Sequence, residues 1–237
     1  MKKRQSTIKD IAKALHISPS TVSRSLADHP DISQETKNIV NAYAREHKYK
    51  PNALALSLRT NNTKTIGVIL PQIVHYFFSS VLYGIEDEAE KGGYRVIICQ
   101  SNENYEKEVK GAQALLEARV CGVLASVAKT TTIYNHFQEL IDSDIPMVFF
   151  DRICTVILTD RVVVDDYAGV CSAVEYLIRS GCRRIAFFGS PSHLAISNNR
   201  RMGYEDALRK NGLPVDKELI KICDNYTEAL RLTPELV

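Results

Sequence analysis

Thr65-Ile-Gly-Val-Ile-Leu70 is apolar from end to end, with no alternation. A strand with one wet face alternates, so an unbroken run predicts a strand covered on both faces. Parallel strands reach their neighbours only through long crossovers, most often helices. The following residues supply that rhythm. A helical segment stops at Lys91-Gly92-Gly93, with glycine as the helix stop. Arg95-Val-Ile-Ile-Cys-Gln100 predicts a second strand. Asn104 to Arg119 predicts a helix, with Val109, Ala112, Leu115 and Leu116 at helical spacing. Val120 to Leu124 and Met147 to Phe150 are further strands, with a helix near Tyr134 to Ile141 between them. A second set opens with Val162-Val-Val164 and runs through a helix from Asp166 to Ser180. It continues with Ile185-Ala-Phe-Phe188, a helix from Asn198 to Asn211 and a strand from Leu219 to Ile222. Strands alternating with helices predict an α/β domain on a doubly wound parallel sheet.

In such sheets ligands bind beyond the carboxyl ends of the strands. That rule points to residues 71–78, Ser126, Asp151-Arg152 and residues 190–200. The sequence has no G-x-G-x-x-G, no phosphate-loop motif and no G-x-S-x-G, so nucleotide-dependent chemistry and serine hydrolysis lack their signatures. No catalytic residue is predicted. Asp165-Asp166 is a carboxylate pair, but it opens a helix, where acidic residues suit the dipole. The six cysteines (99, 121, 154, 171, 182 and 223) are scattered without a C-x-x-C pair and read as buried free thiols, so no metal or cofactor is expected.

Charge separates the first sixty residues from the rest. Residues 1–60 hold 11 Lys+Arg against 5 Asp+Glu, and the remainder 19 against 23. A basic head on a mildly acidic body suits a polyanionic partner. The basic start, Met1-Lys-Lys-Arg, is followed by polar residues rather than an apolar stretch. No run approaches membrane-spanning length, so a cytoplasmic protein with no membrane partner is expected.

Thr7 to Leu15 predicts a first helix, with Ile8, Ile11, Ala12 and Leu15 on one stripe and a capping box from Thr7 to Asp10. Ser18 as N-cap and Pro19 at the first helical position start a second helix running to Leu26. Val22 and Leu26 face inward, leaving Ser20, Thr21, Ser23 and Arg24 outward. Asp28-His-Pro-Asp31 is a turn. Ser33 caps a third helix with Ile39, Val40 and Tyr43 as its inner face. Two short helices joined at His16-Ile17 have helix-turn-helix spacing. Small hydroxyls let a helix enter the major groove, and Arg24 can grip a guanine edge or a phosphate. A small structural bundle with a polar face would give the same pattern. In residues 52–60, Leu54, Leu56 and Leu58 alternate like a strand, while Asn52 could instead cap a short helix.

The run from Thr7 to Arg24, Ile32-Ser-Gln-Glu-Thr-Lys37 and Tyr49-Lys-Pro-Asn52-Ala-Leu-Ala-Leu-Ser-Leu-Arg59 together resemble the lac repressor (LacI) family. The resemblance implies a helix-turn-helix head over residues 1–51 and a hinge helix and linker over 52–63. A periplasmic-binding-protein-like effector domain would follow, with lobes at 64–164 and 165–237. It implies that Pro19, Ser20 and Arg24 read bases and that Thr7, Ser18, Thr21 and Ser23 contact phosphates. Asn52 would open the hinge helix, Ala55 would pack at the minor-groove floor and Leu58 would wedge into it, unstacking a base step to bend the duplex. Phe77 and Phe78 would line the effector cleft with Asp151 and the Arg200 of Arg200-Arg-Met-Gly203, beside the Ser126 to which the strand-end rule points. Rings and charged groups in that combination suit a polyhydroxylated ligand. His16 departs from the family, which often has glycine there; the turn wants a left-handed residue, and a small stability cost is expected.

The implied function is a DNA-binding transcription regulator, a repressor in the family's commoner mode. The expected partners are a near-palindromic double-stranded operator, a carbohydrate effector and a second copy in a homodimer. A sugar-binding module without DNA function and a sugar-processing enzyme are the other readings; the basic head speaks against the first and the missing catalytic set against the second. Family members continue past Val237, and the tail from Tyr226 reads as a helix cut short. A truncated chain with an incomplete second lobe is therefore expected.

Overall fold

The computed structural model describes residues 6–49, 63–223 and 225–236. The chain divides into two compact units, residues 1–61 and 62–237. Asn52, Ala55 and Leu58 lie outside the described residues.

The first unit contains α1 (Ile8–Ala14), α2 (Pro19–Leu26) and α3 (Gln34–Glu46). Each starts on a hydroxyl: Thr7, Ser18 and Ser33 accept from the amides of Asp10, Thr21 and Thr36. The Asp10 carboxylate accepts from the Thr7 amide at 2.9 Å, completing the expected capping box. Each helix also ends on a left-handed residue that carries a side chain: His16 (φ 54°), Asp28 (φ 53°) and Lys48 (φ 49°). The amide beyond each reaches back to the last turn: Ile17 to Ala12, His29 to Arg24 and Tyr49 to Ala44, at 3.0, 3.0 and 2.8 Å. These are Schellman closures. The left-handed turn expected at His16 is present.

Ile11, Ala12, Val22, Val40 and Ala44 form the core of this unit, with Ile8, Leu15, Leu26 and Tyr43 packed against it. Ile39 does not join them. It is 51% exposed, and Lys37 is buried instead. The inner face of α3 runs through 37, 40 and 44, because the Lys37 stem can lie on the core while its ammonium reaches the Asp28 carboxylate at 2.8 Å.

The second unit opens with β1 (Thr65–Leu70), α4 (Tyr76–Lys91), β2 (Arg95–Gln100), α5 (Tyr105–Glu117) and β3 (Gly122–Ala125). Next come α6 (Asn135–Asp142), β4 (Met147–Phe150) and β5 (Asp160–Val162). These strands make one sheet in the order β2-β1-β3-β4-β5, with every pairing parallel. Alternate residues feed opposite faces. Ile69 and Phe149 join one cluster with Leu115, Phe137 and Leu140, while Val68, Leu70 and Phe150 join another with Phe78 and Leu82. Both faces are covered, which explains the unbroken apolar run of β1.

The chain continues through α7 (Asp166–Arg179), β6 (Phe187–Gly189), α8 (Ala195–Lys210), β7 (Ile220–Ile222) and α9 (Tyr226–Leu232). β6 and β7 form a separate parallel pair. Helices α7 and α8 pack closely. A Cβ on Gly203 would lie 2.5 Å from the Tyr167 carbonyl oxygen, so only glycine fits that crossing.

Two further expectations need correction. Val162-Val-Val164 does not open the second set of strands. Val162 ends β5, at the edge of the first sheet beside β4, and the three valines are 67%, 53% and 74% exposed. An edge position leaves even an apolar run open, because no layer covers it. The cysteines are free thiols, but among them only Cys154 is fully buried and Cys182 is exposed.

Candidate DNA-reading face and effector cleft

On α2, Pro19, Ser20 and Arg24 are exposed, and Thr21 and Ser23 are half-buried. Helix geometry forces this: Val22 and Ser25 are buried, so the opposite stripe meets solvent. The Ser25 hydroxyl satisfies itself on the Thr21 carbonyl at 2.8 Å. The Ser18 and Thr21 hydroxyls are 2.9 Å apart, and the Thr7 hydroxyl donates to Asp10 at 2.7 Å. The exposed face thus offers hydroxyls already oriented by caps and one guanidinium, the groups that suit phosphates and a guanine edge. Asp31, which sequence reasoning did not single out, lies 3.9 Å from Arg24. The Asp28 carboxyl is held below the usual aspartate range by its hydrogen bond to Lys37.

The effector candidates gather at the carboxyl ends of the first sheet. Phe77 and Phe78 lie in the first turn of α4, Ser126 follows β3 and Asp151 follows β4. Ser126 is fully buried, and its hydroxyl donates to Asp151 at 3.4 Å. Asp151 itself is left-handed, φ 57°. Burial pushes its carboxyl above the usual range; Arg152 and Arg200 pull it back, while Asp166 adds to the rise. Arg200, on α8, donates to Asp166 at 2.7 Å, and its charge favours the ionised Asp151 carboxyl. The sequence marks Asp166 only as a helix-opening acid. Asp165 does that work, accepting from the Ala168 amide at 2.9 Å, while Asp166 turns to Arg200.

The two phenylalanines part company. Phe78 is 4% exposed, packed edge-on to Phe150, with the Arg152 guanidinium 5.9 Å from its ring centre. Phe77 is 50% exposed and meets Phe78 edge-on at 5.2 Å. Phe77 is therefore the exposed ring of the pair, and Phe78 packs beneath it.

Three groups escaped the sequence reading. Glu103 binds Arg152 at 2.8 Å through both carboxylate oxygens. Glu108 is fully buried and accepts from the Ala128 amide, the Thr131 hydroxyl and His136 Nε2. His136 is buried beside Phe137, ring centres 4.0 Å apart. Only the positive φ of Asn102 and Glu103 marks this region in the backbone, and positive φ is not readable from charged residues on a helix stripe. Among the described residues no cluster of three or more His, Cys, Asp or Glu is arranged to hold a metal ion. No helix among them is long and apolar enough to cross a membrane.

Residues 7–52 match the bacterial regulatory proteins of the lacI family, and residues 63–235 match the periplasmic binding proteins and sugar binding domain of the LacI family. The chain is 34% identical over 204 residues to the ribose operon repressor of Bacillus subtilis, covering 86% of this chain and 60% of that protein. It is 32% identical over 216 residues to the HTH-type transcriptional regulator RegA of Clostridium saccharobutylicum, covering 90% and 64%. It thus spans about three fifths of the length of these relatives. Its fold is similar to the lac repressor dimer bound to operator and an anti-inducer, with a TM-score of 0.75 over 89% of this chain and 64% of that one; identity there is 21%, which speaks for the fold alone. With well over half of its residues in the second match, the chain belongs to the lacI family of bacterial regulatory proteins.

Proposed function

We propose that this protein is a DNA-binding transcription regulator, a repressor, whose operator affinity is set by a sugar-like effector. The observation that carries the reading is the exposed stripe of α2, where Pro19, Ser20 and Arg24 stand clear of a core built from Val22 and its neighbours. A helix so presented can enter the major groove, with phosphates taken by Thr7, Ser18, Thr21 and Ser23. Asn52, Ala55 and Leu58 would form the hinge element, Leu58 acting as the minor-groove wedge. Residues 64–164 and 165–237 are the two lobes in this reading. The exposed ring of Phe77 would cover the apolar face of a sugar while Asp151, Ser126 and Arg200 hold its hydroxyls. A ligand that prefers one arrangement of the lobes would shift operator affinity by that preference and no more. In this reading the protein acts as a cytoplasmic homodimer on a near-palindromic site and is not an enzyme; two relatives are named as a transcriptional regulator and an operon repressor, which supports the regulatory part of it.

Fluorescence anisotropy tests it. Duplexes selected by the chain from a random pool are compared with scrambled duplexes at two salt concentrations. Selective binding that weakens with salt is expected, because counterions are released from the phosphates. Arg24→Ala is expected to erase the preference for selected over scrambled DNA. Equal weak binding of both duplexes by the unaltered chain would overturn the reading.

A further inference from the structure

Two consecutive left-handed residues, Asn102 (φ 52°) and Glu103 (φ 58°), follow β2. Neither is glycine, so the backbone holds a conformation that side chains disfavour. That conformation goes with a dense set of bonds. Glu103 Oε2 accepts from the Lys129 amide at 2.8 Å, both its carboxylate oxygens lie 2.8 Å from Arg152 Nη1, and its carbonyl accepts the Thr130 hydroxyl at 3.0 Å. Glu108, in the first turn of α5, adds three more. Its Oε2 accepts from the Ala128 amide at 2.6 Å, and its Oε1 accepts from the Thr131 hydroxyl at 2.7 Å and from His136 Nε2 at 3.0 Å. The same segment is tied to the sheet by Ser126 N to the Ile69 carbonyl and by Val127 N to the Arg152 carbonyl, at 2.9 and 3.0 Å.

Residues 126–131 are thus pinned from beneath along their length. A fully buried carboxylate is a costly way to close a loop, since apolar packing would close it without desolvating a charge. What the carboxylates add is direction: each fixes particular amides and hydroxyls at hydrogen-bond geometry. The fixed loop has two outward products. Ser126 meets Asp151, and the Lys129 carbonyl accepts from His193 Nε2 at 2.6 Å. His193 lies between β6 and α8, on the other side of the proposed cleft from the first sheet.

We propose that Glu103 and Glu108 are positioning residues that set the 126–131 loop, so that the Lys129 carbonyl becomes the seat on which His193 of the second lobe closes. The proposal rests on the two-lobed cleft reading given above. It assigns the hydrogen bond between Lys129 and His193 to lobe closure, and it makes two acidic side chains that touch no ligand responsible for the position of one of its ends. A carbonyl acceptor also fixes the His193 tautomer, because Nε2 must carry the proton.

The test needs no effector. In the full chain with nitrogen-15-labelled histidine, His193 is assigned through His193→Gln, and its tautomer is read by NMR alongside residue-resolved amide exchange. Glu108→Gln keeps the shape and one acceptor oxygen but turns an amide NH2 toward donors. The expected result is at least tenfold faster exchange at Ala128 and Lys129, a His193 that samples both tautomers, and less than a twofold change at Val68 in β1. Glu103→Gln keeps an oxygen for the Lys129 amide but no charge for Arg152, and is expected to give about a threefold change at Lys129 with partial loss of the fixed tautomer. His193→Ala should leave Ala128 exchange within twofold. An unchanged His193 tautomer in both glutamine variants would overturn the proposal, as would a tenfold loosening of Ala128 in His193→Ala. If Glu108→Gln also loosens Val68, it has unfolded the domain, and Glu103→Gln decides. A chain that binds no sugar still answers, so failure of the effector reading and failure of this one are told apart.

Discussion

The two units secure their polar side chains over different sequence distances. In the head, the caps on α1, α2 and α3 join residues three apart: Thr7 with Asp10, Ser18 with Thr21, Ser33 with Thr36. In the second unit, the bonds that build the candidate cleft join residues 20 to 49 apart: Glu108 with Ala128, Ser126 with Asp151, Glu103 with Arg152. A cap is a local decision, visible as a residue type at a fixed offset from an apolar stripe. A cleft carboxylate becomes interpretable only when the sheet has brought two crossovers to one edge. The head is therefore a small object built from local signals on a thin core, and the body a larger one whose polar network depends on correct long-range packing.

The largest effect that sharpens this contrast is expected from Ile11→Ala. Ile11 is fully buried in a core of five residues, and truncation should cost the head about 3 kcal/mol. So small a domain has little stability to spare. Calorimetry should show the head transition lowered or lost while the body transition stays, and DNA binding should vanish. A single shifted transition for the whole chain would mean that the two units do not melt independently.

Gly203→Ala comes next and strikes the body. The new Cβ would meet the Tyr167 carbonyl oxygen at 2.5 Å, a backbone atom that cannot swing aside. Helices α7 and α8 must separate, at an expected cost of about 2 kcal/mol. The head transition should not move. Because Arg200 sits one turn away on α8, its bond to Asp166 should weaken as well, which a loss of sugar affinity would report.

Asp151→Asn should go the other way. Burial raises the Asp151 carboxyl above its ordinary range, so the charged form is disfavoured in the folded chain. A raised acid contributes stability that is full below the ordinary aspartate value and lost as pH rises through the raised one. At pH 7 the charge is a liability, and the asparagine variant should melt roughly 1–3 °C higher. The gain should disappear in acid, below the ordinary aspartate range, and sugar binding should fall. No gain at pH 7 would mean that Arg152 and Arg200 fully offset the burial.

This contrast also explains what could be read in the sequence. The strands β1 and β4 were legible because apolar runs need two covered faces, β2 because its apolar run reads the same although it lies at the sheet edge, and α1 and α2 because capping residues frame an apolar stripe. Asp151 and Ser126 followed from the rule about strand ends. Ile39 misled because hydropathy cannot see that Lys37 buries its stem and pairs its ammonium with Asp28. Val162-Val-Val164 misled because an edge strand and a central one share a composition. Glu103, Glu108 and Asp166 were invisible: each is an ordinary acid on or beside a helix until its partner arrives from another crossover.

The smallest effect tests the locality of the head most directly. Residues 1–66 contain no glycine, yet α1, α2 and α3 all end on left-handed residues. The body instead places Gly93, Gly181 and Gly212 at such positions (φ 71°, 96° and 70°), alongside side-chain-bearing residues such as Arg119. A left-handed side chain costs about 1–2 kcal/mol, less for His, which tolerates that region; glycine removes the strain but loses about 0.5–1 kcal/mol more chain entropy. His16→Gly should therefore stabilise the head by only about 0.5 kcal/mol, with unchanged DNA affinity, since the Schellman bond from Ile17 to Ala12 is kept. The same exchange at Asp28 should change sign. Glycine would relieve an equal strain there but would take the carboxylate from the Lys37 ammonium, whose side chain is only 10% exposed, leaving it the Asp28 carbonyl at 3.4 Å. Two left-handed helix ends of one small domain, with φ angles of 54° and 53°, should thus respond oppositely to one mutation. If both stabilised, the bond between Lys37 and Asp28 would have no net value, and the head would be local in its energetics as well as in its sequence signals.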